Sequence, residues 1–198
     1  MRKLAGQVGL SVTTLYNQFG SREELLAALV HDLVDMIDGA LDIEAGLDEP
    51  LERCRAIVSV SIDYIVRHES VCRPMFVAIY QGLTDVPPDR FGTPERAAGM
   101  QTEAIEAAVE RGLLNDTLAA DVVGQQIYHG YEMSATLWAR GLCDAAEFEA
   151  RALYGVYVAL LAIATDQTRP MLAARAAELE PALRAAAAAR TTEQERSA

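Results

Sequence analysis

Thr13, Thr14, Tyr16, Asn17, Gln18 and Arg22 place hydrogen-bonding side chains in one short stretch near the start of the chain. On a helix with Leu15 turned inward, rotation by about 100° per residue carries Thr13, Thr14 and Asn17 to the outer side. All three are short enough for a close approach to a groove, where hydroxyls and amides donate and accept hydrogen bonds. Tyr16 and Gln18 fall on the flanks, where a phenol or an amide meets a phosphate. Arg22 opens the following helix, whose unpaired amides and guanidinium form a phosphate anchor. This is the chemistry of reading a nucleic-acid duplex. A solvated helix face carries the same residue types, and these side chains alone leave both readings open.

The elements that would position them are two short helices joined by a tight turn. Leu4, Ala5 and Val8 form one apolar stripe, and Gly9 can take the positive φ of the turn. Ser11 caps the second helix, on which Leu15 and Phe19 share a face. The run from Ala5 to Leu25, AGQVGLSVTTLYNQFGSREEL, resembles the helix-turn-helix of TetR-family (TetR/AcrR) transcriptional regulators. Its match to the family pattern A-x-x-x-G-(V/L)-S-x-x-T-L-Y-x-x-F-x-(S/N)-(K/R)-x-x-L is nearly continuous. The resemblance implies that Val12, Thr13, Tyr16 and Asn17 approach base edges, and that Thr14, Gln18 and Arg22 contact phosphates. Gln18 stands where histidine is common and Gly20 where a basic residue is frequent. Both departures imply weaker nonspecific affinity and a shallow salt dependence. Val12 has no hydrogen-bonding group and either reads a thymine methyl or packs inward.

Charge agrees with a local contact only. The chain of 198 residues has a formal net charge of -12, so its surface is not basic throughout. From Met1 to Val30, Arg2, Lys3 and Arg22 stand against Glu23 and Glu24, leaving about +1 there and the acidic excess elsewhere. Cys54, Cys72 and Cys143 are scattered without CxxC spacing, which indicates neither a disulfide framework nor a zinc site. A reducing cytoplasm is the simplest compartment for them. A thiol pair suggests oxidant sensing, but Cys54 and Cys72 sit in apolar helices, where cysteine behaves as a small buried hydrophobe. No secretory leader or bilayer-spanning segment is legible. With no phosphate loop, HExxH or GxSxG and no clustered Ser, His and acid, an enzyme is not expected. No cofactor is expected, and His68 and His129 lack the i+4 partner of a metal site.

Helical periodicity dominates, so the expected fold is all-α. Ser21 and Glu24 form a capping box for a helix that fades near Gly39 or Gly46. Asp48, Glu49 and Pro50 open a second helix, running to about Glu69. A third covers Val71 to Leu83, with Pro74 in its first turn. TDVPPDRFG then breaks the chain. Thr93 and Pro94 start a fourth helix, and Arg111 with Gly112 ends it. Asp116 or Thr117 caps a fifth, ending near Gly141, and Asp144 caps a sixth, reaching about Ala164. Beyond Pro170 the alanine-rich chain is helical in its first half and frayed over its last ten or so residues. Domains are expected at 1–40 (DNA binding and connecting helix), 41–170 (ligand binding and dimerisation) and 171–198 (tail).

The fifth and sixth helices are apolar on more than one face. Val123, Ile127, Tyr131 and Trp138 share one face of the fifth, and Tyr128 and Ala135 another. LYGVYVALLAIA in the sixth has almost no polar side. Such a pair makes half of an intermolecular four-helix bundle, or the centre of a monomer. The resemblance implies the former: a homodimer whose recognition helices meet successive major grooves of a double-stranded operator. It also implies a small-molecule effector bound in the larger domain, with the helix from Arg22 to about Ala40 connecting the two sites. Candidate effector contacts are Tyr64, His68, Met75, Phe76, Tyr80, Met100, Tyr128 and Trp138, which mix apolar bulk with a few polar tips.

The expected function is therefore a ligand-responsive transcriptional regulator, a repressor released from its operator. The family's DNA-binding domain has a further helix before the helix-turn-helix, and none precedes it here. The expectation is that Met1 is a misread start or that the chain is a fragment. The alternative function is a dimeric helical small-molecule-binding protein without effective DNA binding.

Overall fold

A computed structural model describes residues 11, 13, 14, 17, 20–43, 49–80 and 93–197. Seven helices follow one another among them: α1 (Arg22–Ile43), α2 (Pro50–Arg67), α3 (Glu69–Tyr80), α4 (Thr93–Glu110), α5 (Ala120–Ala139), α6 (Ala145–Ala162) and α7 (Arg169–Ser197). The fold is all-α. Extended pairing among the described residues amounts to one isolated bridge, Leu114 with Ala164.

Local punctuation sets most of the boundaries. The amide of Glu24 donates to Ser21 Oγ at 3.0 Å and the amide of Ser21 donates to Glu24 Oε2 at 2.7 Å, so the capping box that opens α1 is closed from both sides. Glu49 accepts from the Glu52 amide ahead of Pro50, and Asp144 accepts from the Glu147 amide at 2.8 Å to start α6. Gly112 and Gly141, with φ of 69° and 72°, turn the chain out of α4 and α5 through the left-handed conformation that a side chain resists.

Three boundaries differ from the sequence pattern. The third helix begins at Glu69 rather than Val71, because the His68 carbonyl accepts from the amides of Val71 and Cys72 and starts a new helix at once. Pro74 therefore lies inside α3, not in its first turn, and the carbonyl it leaves without a donor belongs to exposed Ser70. Neither Asp116 nor Thr117 caps α5, which starts after Ala119 with no side-chain cap. The segment before it is held by tertiary bonds instead. Asn115 donates from its backbone to Ile163 O and from its side chain to Ala164 O, while the hydroxyls of Thr165 and Thr168 donate to Leu113 O. At the end of the chain, α7 continues as helix to Ser197, with Arg190 paired to Glu147 of α6.

The core is one continuous cluster fed by α1 through α7. Its largest fully buried side chain, Trp138, stacks on Phe148 at 5.8 Å between ring centres. The Arg73 guanidinium lies 4.4 Å over the same indole and donates to Trp138 O, tying α3 to the end of α5. Helices α4 and α5 pack tightly at Gly124, where a Cβ would stand 2.8 Å from Thr102 Oγ1 and 3.0 Å from Ala98 O. Only glycine admits that contact.

Candidate functional site

Thr13, Thr14 and Asn17 are helical and exposed. Ser11 accepts from the Thr14 amide at 3.0 Å, the expected cap, and shares a 2.8 Å hydrogen bond with the Thr14 hydroxyl. Thr14 thus spends part of its hydrogen-bonding capacity on its own cap, whereas no such local bond engages Thr13 or Asn17 among the described residues. Val12, Tyr16, Gln18 and the turn at Gly9 lie outside the described residues, and Arg22 is placed by its backbone as the first residue of α1. Gly20, one of the two departures noted in the sequence, has φ of 71° between this helix and α1. A Cβ there would run into the Glu24 carboxylate that closes the capping box. The backbone geometry accounts for glycine at this position.

Twelve residues further on, α1 changes role. Val34 and Ile37 form one wall of a cavity of about 40 Å³ completed by Ile57, Val58 and Ser61 of α2, Ala97, Met100 and Gln101 of α4, and Ile127, Tyr128 and Tyr131 of α5. None of these side chains is charged. Four are polar: Ser61 Oγ lies 2.5 Å from the Tyr131 hydroxyl, Gln101 Nε2 donates to Cys54 O at 3.0 Å, and Tyr128 is engaged as well. Gln101 is 2% exposed, and its Oε1 has no partner among the described residues. Burial holds the Tyr131 phenol well above its ordinary pKa, with the Ser61 bond pulling only part of the way back, so it stays protonated. Beside the cavity, Arg96 of α4 reaches Asp35 at 2.5 Å and Asp38 at 3.3 Å on α1.

The residues named as effector contacts do not form one site. Met100 and Tyr128 line this cavity. Tyr64, His68 and Met75 line a separate groove of about 450 Å³ between α1 and the α2–α3 junction, beside Asp32, Asp35 and Met36. There the His68 imidazole stacks on Tyr64 at 4.1 Å and is pinned through Nδ1 to the Tyr64 carbonyl. Trp138 and Phe76 are buried in the core and line neither space. Tyr80 ends α3, and its side chain lies outside what is described.

Ser61, Gln101 and Tyr131 were not among the effector contacts expected from sequence. Gln101 carried a signal: it interrupts the buried stripe Ala98, Ala104, Ile105 and Ala108 of α4, and a polar residue at a core position needs a reason. Ser61 had no comparable mark.

The thiols are placed as structural groups. Cys54 and Cys72 are buried, and desolvation pushes them up to about 12 and about 11, away from the thiolate that oxidation requires. Among the described residues no group of three or more His, Cys, Asp or Glu is arranged to hold a metal ion, and no helix is long and apolar enough to cross a membrane. No protein-family model, curated protein or solved structure matches the chain.

Proposed function

We propose that the chain is a ligand-responsive, DNA-binding transcriptional regulator, a repressor that a small molecule releases from its operator. The observation that carries the reading is the double use of α1. Its capped N-terminus follows directly on the exposed polar helix with Thr13 and Asn17, and its middle, at Val34 and Ile37, walls a cavity. Any ligand that prefers one position of α1 biases the position of the polar helix, and the affinity difference sets how far.

The active species is a homodimer through α5 and α6. Most of the apolar faces read from the sequence are consumed inside the subunit, since Val123, Ile127, Tyr128, Ala135 and Trp138 are buried. A different face of α5 remains, with Val122 and Met133 59% and 62% exposed, and Val158 of the neighbouring α6 is 45% exposed. A twofold contact between such faces covers them and makes a four-helix bundle.

A gel-shift assay with the DNA upstream of the chain's own gene, at low salt, tests this. Binding is expected, and Asn17→Ala weakens it by about tenfold, as loss of a base contact worth roughly 1–3 kcal/mol does. A folded dimer that shows no low-salt binding sinks the regulator reading and leaves a ligand-binding protein.

A further inference from the structure

We infer that the cavity between α1, α2, α4 and α5 selects a neutral, mainly apolar ring compound that carries one N–H or O–H donor, and that Gln101 Oε1 is the acceptor that reads this donor. The inference rests on the ligand-responsive reading above and names the ligand's chemistry.

The orientation of the Gln101 amide is fixed. Its Nε2 donates to Cys54 O at 3.0 Å, and turning the amide over would set two oxygens against each other. Oε1 is therefore the atom left over. It is buried on a side chain that lines the cavity, and no donor among the described residues reaches it. The other polar groups of the wall are engaged: the Ser61–Tyr131 hydroxyl pair is bonded to itself, and Tyr128 has a partner of its own. An acceptor without a donor calls for a donor from the occupant.

Charge is excluded by the same walls. Among the described residues no Asp, Glu, Lys, Arg or His lines the cavity, so an ion entering it would lose its hydration without gaining a counter-charge. Size is limited as well. At about 40 Å³ the space is far below the volume of a typical drug-sized site, so the occupant is a single ring at most, and the flexible Met100 side chain is the wall that gives way to admit it.

Phenol, toluene and benzoate test the three parts of this statement with the full chain. Calorimetric titration is expected to show phenol binding roughly tenfold or more tightly than toluene, as a buried acceptor gaining its donor implies, and no binding of benzoate. Gln101→Leu should bring phenol down to the level of toluene, whereas Ser61→Ala should keep the preference. If Gln101→Leu does not fold, the side-chain amide resonance of Gln101 in the wild-type protein decides: it should shift with phenol and stay unmoved with toluene. Equal affinity for phenol and toluene, binding of benzoate, an unmoved resonance under phenol, or no binding of any probe because only water occupies the space, each overturns the inference. The gel shift is independent of it. Phenol read by Gln101 in a chain that ignores DNA leaves this inference standing and removes the regulator, and the converse result does the opposite.

Discussion

The polar helix ahead of α1 and the cavity behind it are held by hydrogen bonds of opposite reach. At the polar helix, Ser11 pairs with Thr14 and Ser21 with Glu24, each across three residues and each in contact with solvent. At the cavity, Gln101 reaches Cys54 across 47 residues in a fully buried bond, and Ser61 meets Tyr131 across 70 in a part-buried one. The first region stands on local rules and loses little when the core loosens. The second exists only while four helices keep their places. One element, α1, belongs to both, and the comparison is sharpest where a perturbation reaches one region and spares the other.

The largest effect is expected from Trp138→Ala. The indole is 1% exposed, stacked on Phe148 and covered by Arg73. Phe148 in turn lies 5.8 Å from the Tyr131 ring at the cavity wall, so an aromatic chain joins the core to the polar pair. Truncation costs about 3–5 kcal/mol, and denaturant unfolding followed by circular dichroism measures it. The Ser61–Tyr131 contact is expected to loosen with the core, while the Ser21–Glu24 box keeps its amide protection in hydrogen exchange. Equal loss at both places breaks the comparison.

The same division of reach decides what was legible in the sequence. The opening of α1 at Ser21, the entry of α2 at Glu49–Pro50, the cap at Asp144 and the exit at Gly112 all follow from residues within a few positions of the boundary, and each is where the pattern places it. The start of α5 was misplaced because Asn115, Thr165 and Thr168 hold that segment from 49 to 55 residues away. Packing likewise divides the effector contacts, Met100 and Tyr128 going to the cavity and Tyr64, His68 and Met75 to the groove. Aromatic and methionine residues were identifiable as apolar bulk, but whether Trp138 faces a cavity or a phenylalanine depends on helix packing that no local window contains. Thr13, Thr14 and Asn17 stand exposed as helical rotation requires, and what they touch is a matter for the DNA-binding experiment.

Ser21→Ala should give a smaller and more local effect. Loss of an N-cap hydroxyl costs about 1 kcal/mol, and it releases the Glu24 amide that Ser21 Oγ satisfies. Hydrogen exchange should speed up in the first turn of α1 and stay unchanged at Gln101 and Tyr131. Faster exchange at the cavity would show that the two regions are coupled through α1 even without a ligand.

The smallest effect is expected at Glu147, where both kinds of contact meet on one carboxylate. Its near partner is Arg151, one helical turn away with Nη2 at 2.6 Å, and its distant partner is Arg190 of α7, 43 residues along the chain. Partial burial alone would raise its pKa, but the hydrogen bonds from Arg190 and then Arg151 outweigh that and hold the carboxyl below its ordinary range. The folded chain therefore takes up this proton less readily than the unfolded chain. The stabilisation is complete above the ordinary carboxylate pKa and is lost as the pH falls through the lower folded value. Urea midpoints measured from pH 7 down to pH 3 should fall further for the wild-type protein than for Glu147→Gln, by a small margin because the arginines are half-exposed. Replacing the partners separately divides that margin by reach. Arg190→Gln should remove part of the pH dependence and also release an ion pair between α7 and α6, whereas Arg151→Gln removes a pair within α6 alone. No loss from Arg190→Gln would make α7 a passenger on α6, and the local pair alone would then account for the acid response.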